Sequence, residues 1–176
     1  MLNPVIRKSL ALLIITTAMT ITDTSTSKNA DAHTVRVDSI NVEALRKKSE
    51  LNCLTDAIYF EARNQSVKGM IAVGQVIMNR TRDSRFSKNV CEVVHQKINR
   101  RCQFSYLCKS ESYRVVDDPE SWEIASRVAH NTYHGYVADV TNGATFYHAR
   151  YVRPSWRKNM EKTVVIRDHI FYRRLP

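Results

Sequence analysis

Residues 53–80, CLTDAIYFEARNQSVKGMIAVGQVIMNR, leave little freedom in how they fold. Before Asn64 the spacing is helical, with Leu54, Ala57 and Ile58 on one face. At about 100° per residue Glu61 falls within about 60° of all three, so an acidic side chain is aimed toward the core. From Val67 to Arg80 the pattern is helical again, apolar at 67, 70, 71, 73, 77 and 78. Asn64-Gln65-Ser66 joins the two helices, and Ser66 is a natural N-cap for the second. Gly74 sits mid-helix at a cost of about 1 kcal/mol relative to alanine, which predicts close approach of a neighbouring helix, most simply the one carrying Glu61.

Two roles are open to Glu61. It pairs with an arginine, Arg63 or one farther along, and holds the fold together; or it loses solvation beside Ile58 and Tyr59, so that its pKa rises and it serves as a general acid near neutral pH.

YFEAR, then AVGQVIMNR, CQFSYLC, GATFYHA and HIFYR, in that order, resemble the catalytic domain of the SleB/CwlJ cell-wall hydrolases, which act on peptidoglycan. The resemblance runs from Cys53 to Arg173. It implies an α+β fold, mostly helical and lysozyme- or transglycosylase-like, with a small antiparallel sheet near the C-terminus. It also implies that Glu61 matches the family's catalytic glutamate. Family members usually continue as EARGE, whereas Asn64-Gln65 follows here, so no second acid stands next to the loop.

The chain of 176 residues fits one domain. Its net charge is +10, and setting aside residues 1–32, with three basic and two acidic groups, still leaves +9. Such an excess predicts a polyanionic partner, for which nucleic acid, anionic lipid, teichoic acid and acidic glycan all qualify. The resemblance selects peptidoglycan glycan strands, with no nucleic acid expected and a monomer sufficient. Four cysteines allow three disulfide pairings. A Cys102–Cys108 bridge would close a small loop over QFSYL and leave Cys53 for Cys91, the favoured arrangement. Zinc and free thiols are the alternatives, although only the C-x5-C pair is local as a metal site requires. His130 and His134 are one turn apart but lack an H-E-x-x-H pattern and a third ligand. No metal and no cofactor are expected.

Arg7 and Lys8 precede an uncharged, mostly apolar run, Ser9 to Thr22, which reads as an export signal. It is short for a membrane span of about 20 residues. Cleavage at Ala30-Asp31-Ala32 is one outcome. A releasable signal anchor with transient membrane contact, as in certain phage endolysins, is the other. Residues 1–32 are accordingly assigned to export, 33–41 to a flexible tether and 42–176 to the catalytic domain, working in the periplasm or cell wall where disulfides form.

The first packed helix is expected from Asn41 or Val42, with a break near Ser49. Phe86, Val90, Val93 and Val94 mark a short helix capped by Ser87 or Asn89, and KINRR at 97–101 is the densest basic cluster. Asp118 and Pro119 start a long helix that carries Trp122, Ala125, Val128, Ala129 and Tyr133 and ends near Gly135. ATFYHA and KTVVIRDHIFYR alternate and read as an antiparallel pair of strands after an Asn142-Gly143 turn. Gln103, Ser105 and His148 are candidates for holding a sugar, with Phe104 and Tyr106 offering it an apolar surface; the competing role for the two rings is to plug the core.

Three functions compete. A peptidoglycan glycosidase would use Glu61 to protonate the leaving oxygen between N-acetylmuramic acid and N-acetylglucosamine. Asp56 lies about 140° away on the same helix, leaving Asp83, Asp117 or Asp139 as distant second carboxylates for hydrolysis. Lytic transglycosylation needs none. A basic exported binding module without catalysis explains the charge but not Glu61, and an amidase would need zinc or a cysteine-histidine pair.

Overall fold

The computed structural model describes the backbone of residues 30–175 and the side chains from Asn41 onward. The apolar run at 9–22 lies outside the described residues. The chain divides into Met1–Asp38 and Ser39–Pro176, and the packing below belongs to the second unit. Its architecture is α+β, mostly helical, with a small antiparallel sheet near the C-terminus.

Helix α1 spans Ala30–Ala62. It begins earlier than Asn41 or Val42, and both the 33–41 stretch expected as a tether and the expected break at Ser49 are helical. A polar stretch without an apolar face reads as a tether. Yet no glycine or proline lies between Ala30 and Ala62, so nothing in this stretch interrupts a helix continued from its packed part.

Helix α2 (Val67–Arg82) starts at Ser66, whose hydroxyl accepts from the Gly69 N–H at 3.4 Å. One side of it, Met70, Val73 and Ile77, packs with Leu54, Ala57 and Ile58 of α1, with Val90, Val93 and Val94 of α3 (Val90–His95), and with Ala125, Val128 and Ala129 of α4 (Pro119–Tyr133). The other side, Ala72 and Val76, packs against Ala144, Ile166 and Phe171. Gly74 lies at the crossing. A Cβ there would meet Ile58 Cδ1 at 3.0 Å and Thr132 Cγ2 at 3.3 Å, so the approach expected from α1 involves α4 as well. Asn89 caps α3 and Asp118 caps α4, each accepting a backbone N–H at 3.0 Å. Bridges join Cys53 to Cys91, tying α1 to α3, and Cys102 to Cys108, the pairing favoured from spacing.

The basic cluster forms a tight hairpin, β1 (Lys97–Ile98) with β2 (Arg101–Cys102), turning through Asn99 and Arg100 at positive φ. The main sheet has three strands, β3 (Phe146–Ala149), β4 (Met160–Ile166) and β5 (His169–Arg174), in the order β3-β5-β4 and all antiparallel. KTVVIRDHIFYR is therefore two strands folded back at Arg167-Asp168, and β3 pairs with the second of them. Alternation continues through this turn, which contains no glycine, proline or asparagine, and Asp168 alone is a weak turn signal. Asn142 and Gly143 do form the expected turn, at φ 55° and 76°. Among the described residues no helix is long and apolar enough to cross a membrane.

Gly74→Val should destabilise the fold by about 1–3 kcal/mol, since neither Ile58 nor Thr132 has space to give. Replacing Cys53 and Cys91 together by alanine should cost about 2–5 kcal/mol. Urea denaturation midpoints measure both, and a midpoint unchanged from wild type would contradict the packing or the bridge in question.

Candidate active site

Glu61 occupies the last turn of α1, on the face where Leu54, Ala57 and Ile58 are fully buried. The helix thus carries a carboxyl to the edge of the core and stops. Phe60 beside it stacks on Tyr106 with ring centroids 4.7 Å apart. Tyr106 belongs to the 3₁₀ turn Ser105–Cys108, which the Cys102–Cys108 bridge closes. From the opposite side β3 brings Tyr147, whose hydroxyl donates to Glu61 Oε2 at 3.2 Å. Oε1 is buried and has no side-chain partner, and the Ser105 backbone lies close enough to act weakly on the carboxyl.

Burial raises the Glu61 pKa, against the opposing pull of the Tyr147 hydroxyl, the Ser105 backbone and the Lys109 charge. Burial and the neighbouring Glu61 hold the Tyr147 phenol well above its ordinary range, so it stays a donor. Arg63 turns away to Asp117 and the Tyr59 hydroxyl. Among the described residues Glu61 makes no ion pair, so the arginine partner considered above is not seen. The carboxyl thus has one oxygen bonded to Tyr147, the other buried without a side-chain partner, and a raised pKa.

Two adjoining lobes of a cleft, of about 1100 Å³ and about 740 Å³, share Phe60, Glu61, Ala149, Tyr151 and His169. Glu61 stands at their junction, with space on either side. Gln103, Phe104, Ser105 and His148 all line the larger lobe. Phe104 does so from the core, being 1% exposed. Tyr106 lines neither lobe and is a core residue. In the tight turn successive side chains diverge, and the exposed direction falls to Ser105. His148 engages both ring nitrogens internally, Nδ1 at 2.8 Å from the Ala149 carbonyl and Nε2 at 3.1 Å from the Tyr172 hydroxyl. It shapes the wall against Trp156.

Among the cleft residues not singled out from the sequence are Tyr147, Arg80, His169 and Asp168. The strand alternation already puts Tyr147 opposite His148, and the MNR end of α2 presents Arg80, but neither pattern states which face meets Glu61. His169 lies edge-on to the Tyr147 ring at 5.1 Å, its pKa lowered by burial. The aspartates considered as distant partners are engaged elsewhere: Asp83 with Arg85, Asp117 with Arg63, and Asp139 with Asn79, Thr141 and Gly143. Asp168 lines the smaller lobe, where it accepts from Gln65 Nε2 at 3.1 Å.

The fold has relatives. The catalytic domain of the germination-specific lytic transglycosylase SleB from Bacillus anthracis superposes with a TM-score of 0.58 at 22% identity, covering 70% of this chain and 93% of that one. The catalytic domain of the Bacillus cereus SleB protein gives 0.57 at 21%, covering 72% and 91%. At such identities the likeness shows the fold. A spore cortex-lytic enzyme of Halalkalibacterium halodurans is 29% identical over 107 residues, 61% of this chain but only 29% of that protein, so the chain spans less than a third of that relative's length. A family profile described as Cell Wall Hydrolase matches residues 64–172, from the loop directly after Glu61 to the last strand of the sheet. With that match over more than half of its length, the chain belongs to the cell wall hydrolase family.

Proposed function

We propose that this protein is an exported peptidoglycan-cleaving enzyme that breaks the β-1,4 bond between N-acetylmuramic acid and N-acetylglucosamine by lytic transglycosylation, with Glu61 as general acid and then general base. The observation that carries the reading is the half-buried Glu61 at the junction of two lobes, one oxygen held by Tyr147 and the other unpaired. A glycan strand lying along both lobes has a glycosidic oxygen at the junction. Proton transfer from the neutral Glu61 carboxyl to that oxygen breaks the C1–O bond and leaves an oxocarbenium-like muramyl centre. The muramyl C6 hydroxyl then attacks its own C1 and gives its proton back to the Glu61 carboxylate, so the product ends in a 1,6-anhydro ring and the enzyme is regenerated. No second carboxylate takes part. Export rests on Arg7, Lys8 and the apolar run that follows them.

Glu61→Gln should lower digestion of purified sacculi by about 10²- to 10⁴-fold while the fold is kept; more than a tenth of wild-type activity would sink the assignment. Muropeptide mass analysis should find 1,6-anhydro-muramic ends. Reducing muramic ends would instead show hydrolysis and direct attention to Asp168, and intact strands with cut stem peptides would refute glycan cleavage altogether.

Two pH effects follow from the raised Glu61 pKa. The acid must be protonated to act, so activity should fall as pH rises through that pKa. Because the Tyr147 hydroxyl lowers it, Tyr147→Phe should move the fall to higher pH; a shift toward lower pH would contradict the role given to Tyr147. Glu61 is easier to ionise in the unfolded chain, so its ionisation weakens the fold as pH rises above the ordinary value of 4.5. Glu61→Gln should accordingly raise stability at neutral pH, with the gain vanishing below that value.

A further inference from the structure

Arg80 is 5% exposed and lines the larger lobe. Its Nε donates to the Thr145 carbonyl at 2.8 Å, while Nη1 is buried with no acceptor. Three phenyl rings surround the guanidinium, those of Phe86, Phe104 and Phe146, at 5.3 to 5.7 Å from its carbon. Among the described residues it makes no ion pair, with Glu61 or any other acid. A cation taken out of water is costly unless it is paired, and ring faces with one carbonyl offset only part of that cost. The planar fork of a guanidinium matches a carboxylate. Arg101 and Arg174 also line this lobe, and Glu61 is the one carboxylate lining it among the described residues.

We propose that Arg80 forms a carboxylate-binding subsite in the larger lobe and selects strands that carry a free carboxylate near the cut. The carboxylate comes from the stem peptide or, on a peptide-free muramyl unit, from the lactyl group. The proposal rests on the reading that the cleft holds a peptidoglycan strand.

The test measures calorimetric binding to full-length Glu61→Gln protein, which does not depend on cutting. The probes are soluble strands with stem peptides and strands stripped of them, each untreated and with its carboxylates converted to amides. Measurements are made at about 1 M salt, where a Debye length of about 3 Å suppresses the general attraction of a basic protein. Amidation should weaken binding at least about 10-fold for one of the two strand types, and which type responds identifies the source of the carboxylate. Adding Arg80→Met should reduce binding of the untreated strand to the amidated level and leave the amidated strand unaffected. Arg127→Gln, which removes the same charge from the exposed face of α4, should change neither. Equal binding of untreated and amidated strands of both types would overturn the proposal even if Arg80→Met fails to fold. Failure of the glycosidase reading is seen separately, in uncut glycan with wild-type enzyme.

Discussion

Everything in the packed unit is arranged around α2, a helix buried on two sides at once. Met70, Val73 and Ile77 face the other helices while Ala72 and Val76 face the sheet. A helix in that position must be slim where its neighbours cross it, and Gly74 meets that demand between Ile58 and Thr132. The mid-helix entropy penalty is offset by two interfaces that a side chain would push apart.

The polar end of α2 transmits this placement to the cleft around Glu61. Asn79 Nδ2 donates to Asp139, Thr141 and the Ala144 carbonyl, and Arg80 Nε donates to the Thr145 carbonyl. These bonds fasten the segment that runs into β3 and so fix the strand that delivers Tyr147 to Glu61. On the other side the Cys102–Cys108 loop sets Tyr106 on Phe60 and turns Ser105 outward. The carboxyl is thereby enclosed by three elements, α1, β3 and the Cys102–Cys108 loop, that meet around it.

Two ionisable groups, the half-buried Glu61 and the buried Arg80, sit in one cleft, each without an ionic partner among the described residues. A fold selected for stability alone would pair or remove them. Leaving both unpaired lowers stability. A neutral carboxyl donates a proton, and a buried guanidinium attracts an anion more strongly than an exposed one does.

Much of this was legible in the chain itself. Spacing near Glu61 put it on a core-facing side of its helix, Ser66 and Asp118 marked helix starts, Ser87 or Asn89 marked a third, Asn142-Gly143 marked a turn, and the run of motifs identified the family. Those features are local: caps, turns and periodicity act within a few residues, so short stretches encode them. Tertiary packing alone decided the pairing of β3 with β5, the retreat of Tyr106 into the core, and the meeting of Tyr147, Arg80, His169 and Asp168 around the cleft. Tyr147 stands 86 positions from the carboxyl it touches. No local propensity spans that separation; strand order and helix crossing set it, and both depend on how α2 is buried from two sides.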